Sequence, residues 1–219
     1  MLHFAKETVA FAYQTSGLGA QTSKLETVLL RLDEIQEVEL KNRMWGSKIV
    51  LHPKQLAPLE RMPGAQGSVI AFSVKPKHQA EAEALVAQMQ QAYSASPPTD
   101  LRSIPFRLPE ADHGLTEITG LLYLDDEFLT FDVQTGLPGG SQKELQVIKV
   151  ELAALAALRL DRGTLGDRLC IRPKTSDLLD AMPGTHQEEL KLKLRKRHRA
   201  DAEQPVYEVR RLQRMPGRT

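Results

Sequence analysis

Apolar and polar residues alternate along most of the chain, the period of strands with one covered face. Val28, Leu30 and Leu32 take every second position, and Val38 and Leu40 stand against Glu37, Glu39 and Lys41. Ile49 and Leu51 follow, then Ile70, Phe72 and Val74. Near the start, Leu2 and Phe4, then Val9, Phe11 and Tyr13, predict two short strands around Lys6-Glu7. The period then changes. Ala82, Leu85, Val86, Met89 and Ala92 recur at steps of three and four, which predicts one face of a helix.

The same order is written a second time, 120 positions later and without a gap. Pro53-Lys54 and Met62-Pro63-Gly64 return as Pro173-Lys174 and Met182-Pro183-Gly184, and Gly46 returns as Gly166. Ile148, Val150 and Leu152, then Leu158 and Leu160, Leu169 and Ile171, and Leu190, Leu192 and Leu194 repeat the strand pattern. Pro53 and Pro173 are expected to end their strands, because proline cannot continue a hydrogen-bonded ladder. Met-Pro-Gly predicts a turn. The expected fold is mainly β: two units, each of about seven antiparallel strands in a sandwich or partly open barrel, closed by one C-terminal helix. Residues 1–94 form the first unit and 114–219 the second. Residues 95–113, with Pro97, Pro98, Pro105 and Pro109, read as a semi-rigid linker.

The repeat breaks at the last helix. Pro205 stands where the first copy has Leu85, and a proline in a helix interior costs about 3 kcal/mol. The second helix is therefore expected to start near Pro205, as a first-turn residue.

The bulk numbers exclude more than they assign. Formal net charge is +1, so no global field points to nucleic acid or to a membrane. No apolar run approaches the roughly 18–20 residues of a spanning helix. Cys170 is the single cysteine, which fits a reducing compartment. Residues 1–7 lack a basic region followed by an apolar stretch, so no secretory leader is expected. The reading is a cytoplasmic protein of bacterial type.

The carrying residues of a family likeness lie in the second copy. They are Gly120-Leu121-Leu122-Tyr123-Leu124, Leu129-Thr130-Phe131, the run from Ile148 to Leu160, Gly166 to Lys174, and Met182-Pro183-Gly184. In strand order and turn residues the chain resembles bacterial pleckstrin-homology-like domains of uncharacterised function, twice over. The resemblance implies seven antiparallel strands and a C-terminal helix. The wider family holds phosphoinositide headgroups with basic residues around the loop joining its first two strands. Here that loop is Lys6-Glu7 in one copy and the acidic Asp125-Asp126-Glu127 in the other, so the basic motif is absent.

Candidate chemistry is sparse. The run Lys191 to Arg199 carries Lys191, Lys193, Arg195, Lys196, Arg197 and Arg199 with no acid. On a strand, Leu190, Leu192 and Leu194 point inward and Lys191, Lys193 and Arg195 line the outer face. Two readings fit: an anion site centred on Lys191, Lys193, Arg195 and Arg197, or a solvated edge blunted by lysine. Histidines 3, 52, 113 and 186 show no metal-ligand spacing, and His78 and His198 share a place just ahead of the helix. Cys170 alternates with Leu169 and Ile171, which puts its thiol on a half-covered surface. Trp45 heads the fifth strand as an anchor or as packing over a hairpin. No nucleophile elbow or phosphate-cradling glycine loop occurs, and no enzyme, cofactor or metal is expected. The expected function is a non-enzymatic binding or scaffold protein whose partner is a protein, another or itself. The alternative is a peripheral protein that binds anions or anionic lipid through the basic strand.

Overall fold

In the computed structural model, alternation becomes antiparallel pairing throughout. The structure describes residues 2–5, 8–13, 26–43, 46–57, 69–95, 102–108, 116–125, 127–136, 144–164, 166–183 and 189–214. Trp45, Leu59 and Met62-Pro63-Gly64 lie outside the described residues, as does the Lys6-Glu7 turn. The chain divides into two compact units, Met1–Asp100 and Leu101–Thr219.

Unit 1 runs β1 (Leu2–Ala5), β2 (Thr8–Tyr13), β3 (Glu26–Arg31), β4 (Ile35–Arg43), β5 (Gly46–Pro53), β6 (Ile70–Val74) and helix α1 (Gln79–Ala95). These strands form two three-stranded sheets, β1-β2-β3 and β4-β5-β6. Val9, Leu30, Ile35, Val38, Ile49, Leu51 and Ile70 are buried, and α1 adds Ala82, Val86 and Met89. The face that the three-and-four spacing predicts is thus the face that packs. The Gln90 side-chain amide donates to the Val38 carbonyl at 3.0 Å and ties α1 to β4.

Unit 2 runs β7 (Ser103–Leu108), β8 (Glu117–Asp125), β9 (Phe128–Gly136), β10 (Glu144–Glu151), β11 (Leu155–Asp161), β12 (Asp167–Pro173), β13 (Leu190–Leu194) and helix α2 (Arg199–Arg214). Its seven strands make one continuous sheet in the order β10-β9-β8-β7-β13-β12-β11. Its core joins Ile104 and Phe106 of β7 to Leu122, Phe131, Ile148, Leu158, Leu169, Ile171 and Leu192, with Ala202, Val206 and Val209 of α2.

The two units share their registers. Apart from Asn42↔Ser47 and Arg43↔Gly46 at the end of the β4–β5 hairpin, each cross-strand pair of unit 1 recurs 120 positions later in unit 2. The bulge between Ile35 and Glu37 returns between Leu155 and Ala157. Gly46 and Gly166 take positive φ of 127° and 145°. A Cβ on either would meet the matching carbonyl, Val74 O at 2.7 Å or Leu194 O at 3.0 Å. Glycine is required at both by conformation and by space.

Two expectations need correction. The first concerns the linker: Ser103–Leu108 is a strand inside the sheet, joining β8 to β13. Its apolar residues Ile104, Phe106 and Leu108 alternate like any other strand's, but four nearby prolines mask the signal. Pro105 is tolerated because pairing to β13 ends at Phe106↔Leu194, one residue short of it. Among the described residues unit 2 has seven strands and unit 1 has six. The second concerns α2, which begins at Arg199, level with Gln79 of α1, and runs through Pro205.

Helix α2 keeps the start of α1 despite Pro205, and it has an anchor there that the sequence hides. Asp167, fully buried at the start of β12, accepts from Arg199 at 2.8 and 2.9 Å. This bidentate pair pins the first residue of α2 to the sheet. Pro205 is itself buried on the packed face, so burial offsets part of the lost helix bond.

Candidate anion-binding face

Strand alternation sends the outward side chains of β7, β13 and β12 to one face of unit 2. Lys193 of β13 sits directly opposite Arg168 of β12 on one side and Arg107 of β7 on the other. All three are exposed. Like charges set directly opposite on neighbouring strands destabilise a sheet. Arg107 has Glu117 at 3.8 Å, while Lys193 and Arg168 have no ion pair among the described residues. Three cations therefore stand in a row at the strand spacing of about 4.8 Å.

The predicted site residues separate. Lys191 lies on this face, opposite Cys170, and is drawn toward Glu189 at 3.7 Å. Arg195 and Arg197 do not continue the strand. β13 ends at Leu194, and both residues sit in the short turn that leads into α2. Arg197 Nε donates to His198 Nε2 at 2.9 Å. The outer-face placement of Arg195 is thus corrected: a 3-10 turn over Lys196–His198 replaces the next strand residue. Arg168 and Arg107 complete the row instead. Arg168 was legible, two positions before Cys170 on the outward side of its strand. Arg107 was hidden by the linker reading.

Acids border the row without entering it. Arg159 of β11 bridges Asp161 at 3.3 Å and Glu189 at 3.2 Å. Cys170 is buried, not half-covered as alternation suggested, and its thiol donates to Asp161 Oδ2 at 3.3 Å. Burial, with help from Asp161, pushes that thiol above its ordinary range, so it is a packed group and a poor nucleophile. The Arg199 guanidinium holds the Asp167 carboxyl below its ordinary range against the opposing effect of burial.

Other candidates have settled positions. Asp125 pairs with Lys149 at 3.3 Å, and Lys149 lies 5.9 Å from the Phe128 ring centre, so the acidic turn is partly neutralised locally. His78 and His198 share a backbone position but differ in setting. His78 is exposed, with Glu81 Oε2 at 3.0 Å from Nδ1, whereas His198 is buried. Asp126, His113 and His186 lie outside the described residues. No helix among the described residues is long and apolar enough to cross a membrane. Compared with known proteins, the chain matches no family model, and no curated protein matches it.

Proposed function

We propose that this chain is a non-enzymatic binding protein built from two pleckstrin-homology-like units, and that the outward basic face of β7, β13 and β12 holds an acidic segment of a protein partner. The row Arg107–Lys193–Arg168 carries the reading. A sheet gains nothing from three cations aligned across adjacent strands. A bound anion turns that repulsion into charge-assisted contacts, with arginine at both ends to grip carboxylates in bidentate fashion. Seven antiparallel strands followed by one helix, as in unit 2, is the order the family resemblance implies.

The surroundings favour a polypeptide over a lipid surface. Glu189, Asp161 and Glu117 flank the row, which gives a pattern of charge and not a uniform field. Among the described residues, the exposed large apolar side chains Leu29, Tyr93, Val147 and Tyr207 all belong to other elements, and none of them stands beside the row. Lys191 extends the face along β13, and Arg195 and Arg197 carry positive charge around the strand end.

The test uses a fluorescently labelled oligoglutamate and phosphatidylserine vesicles side by side, each at low and high salt. Saturable binding of the peptide is expected, weakening as salt rises because exposed charges are screened. Vesicle binding stronger than peptide binding would reassign the face to membranes, and no binding of either would remove the proposal.

A further inference from the structure

We infer that unit 1 carries a site for a divalent transition-metal ion, formed by Glu37, Glu39 and His52. Each offers one donor atom, and these atoms lie within 4.8 Å of one another. The strand register brings them together. Glu37 and His52 face each other across β4 and β5, just past the bulge at Ile35. Glu39 is the next residue on the same face of β4. Bulges re-aim side chains, and here the re-aimed pair is a carboxylate and an imidazole.

The burial of the three residues differs in a useful way. His52 is 5 % exposed, Glu39 is half-buried and Glu37 is exposed. The imidazole forms a closed wall and Glu37 an open mouth through which an ion can enter. The two oxygens of Glu39 are divided. Oε2 takes the Lys41 ammonium at 2.6 Å, and Oε1 stands 3.8 Å from His52 Nε2. Zinc bonds of about 2.1 Å place tetrahedral donors about 3.4 Å apart, so the donors need to draw in by no more than about 1.4 Å. Lys41 keeps its own oxygen while the metal takes the other.

The donor set selects the ion. One imidazole nitrogen with two carboxylate oxygens suits zinc and its neighbours, whereas calcium and magnesium favour oxygen alone. Two carboxylates set two negative charges against the cation, with the Lys41 ammonium beside Glu39 offsetting one of them. Three protein ligands leave a further position for water or for a group on a partner.

Unit 2 shows that the fold does not demand these residues. Its register places Ala157 opposite Arg172, and Arg159 stands at the position of Glu39. One backbone thus carries guanidinium groups in one unit and metal ligands in the other. The site lies in a different unit from the basic row and uses none of its residues, so either reading can fail without the other.

The experiment titrates the full chain with zinc by calorimetry and with cobalt by visible absorption. A single equivalent of zinc is expected to bind and to raise the melting temperature, since a ligand that binds only the native state stabilises it. Cobalt is expected to give the absorption bands of low coordination number. Glu37→Gln changes an exposed residue at nearly constant shape, so the fold is retained while zinc affinity falls at least about tenfold. Glu39→Gln is expected to act in the same way. Absence of saturable zinc binding overturns the site, and so does a site whose affinity is unmoved by both variants, which would place the metal on other histidines.

Discussion

Asp167 shows how much one side chain can settle. A carboxylate buried at the start of a strand is costly unless it is paired and hydrogen-bonded, and Arg199 and the Gly163 amide supply both. Because its folded pKa lies below the ordinary value, its contribution is complete above about pH 4 and is lost as pH falls through the folded value. Asp167→Asn is expected to lower the melting temperature by several degrees at pH 7, with the gap between variant and wild type closing as the melts are taken to pH 3. A constant gap across that range would show that the pair holds nothing. The pair was not legible in the sequence. Asp167 and Arg199 are 32 residues apart, the first copy has Ser47 and Gln79 in their places, and neither periodicity nor charge counting links them. The basic strip was legible in part, since alternation placed Lys191 and Lys193 correctly. It failed at Arg195, where a turn ends the strand.

At the scale of elements, the strands were readable because period two leaves a plain trace, and the shared prolines at 53 and 173 do end β5 and β12. The misread elements are those that carry proline. In β7, Pro105 and its neighbours outweighed the alternation of Ile104, Phe106 and Leu108. Inside that strand Phe106 meets Phe131 edge to face with centres 6.2 Å apart. It also lies over Gly120, where a Cβ would come within 2.6 Å of its ring, so the glycine of β8 makes room for the aromatic of β7. In α2 the penalty for Pro205 was real but was outweighed by the anchored start and the packed face. Its net size is testable. Restoring the backbone N–H recovers about 3 kcal/mol. Greater freedom of the unfolded chain takes back up to about 1 kcal/mol, and lost packing about 1 kcal/mol more. Pro205→Ala is therefore expected to stabilise by about 1 kcal/mol in denaturant unfolding. A loss of stability would mean that the proline is part of the packing and not a cost to it.

At the scale of the whole molecule, β7 decides where unit 2 begins. Ile104 and Phe106 are 1 % and 2 % exposed. Losing such side chains costs about 2–5 kcal/mol each, a large share of the 5–15 kcal/mol that a domain has. The fragment 101–219 is thus expected to unfold cooperatively on its own, while 114–219, cut after the proline-rich stretch 95–113, is expected to lack a cooperative transition by calorimetry. Equal behaviour of the two would demote β7 to an accessory. The strand also supplies Arg107, so the boundary and the proposed face stand or fall on the same six residues. Net charge of +1 gives the molecule no long-range pull on acidic partners, and recognition has to come from a local array. The most direct measurement is the dissociation constant of labelled oligoglutamate for the full chain and for Lys193→Glu at low salt. This exposed charge reversal at the centre of the row is expected to weaken binding by about tenfold or more, with the melting temperature unchanged or higher as the like charges are relieved. Equal affinity in the two proteins would contradict the proposed face.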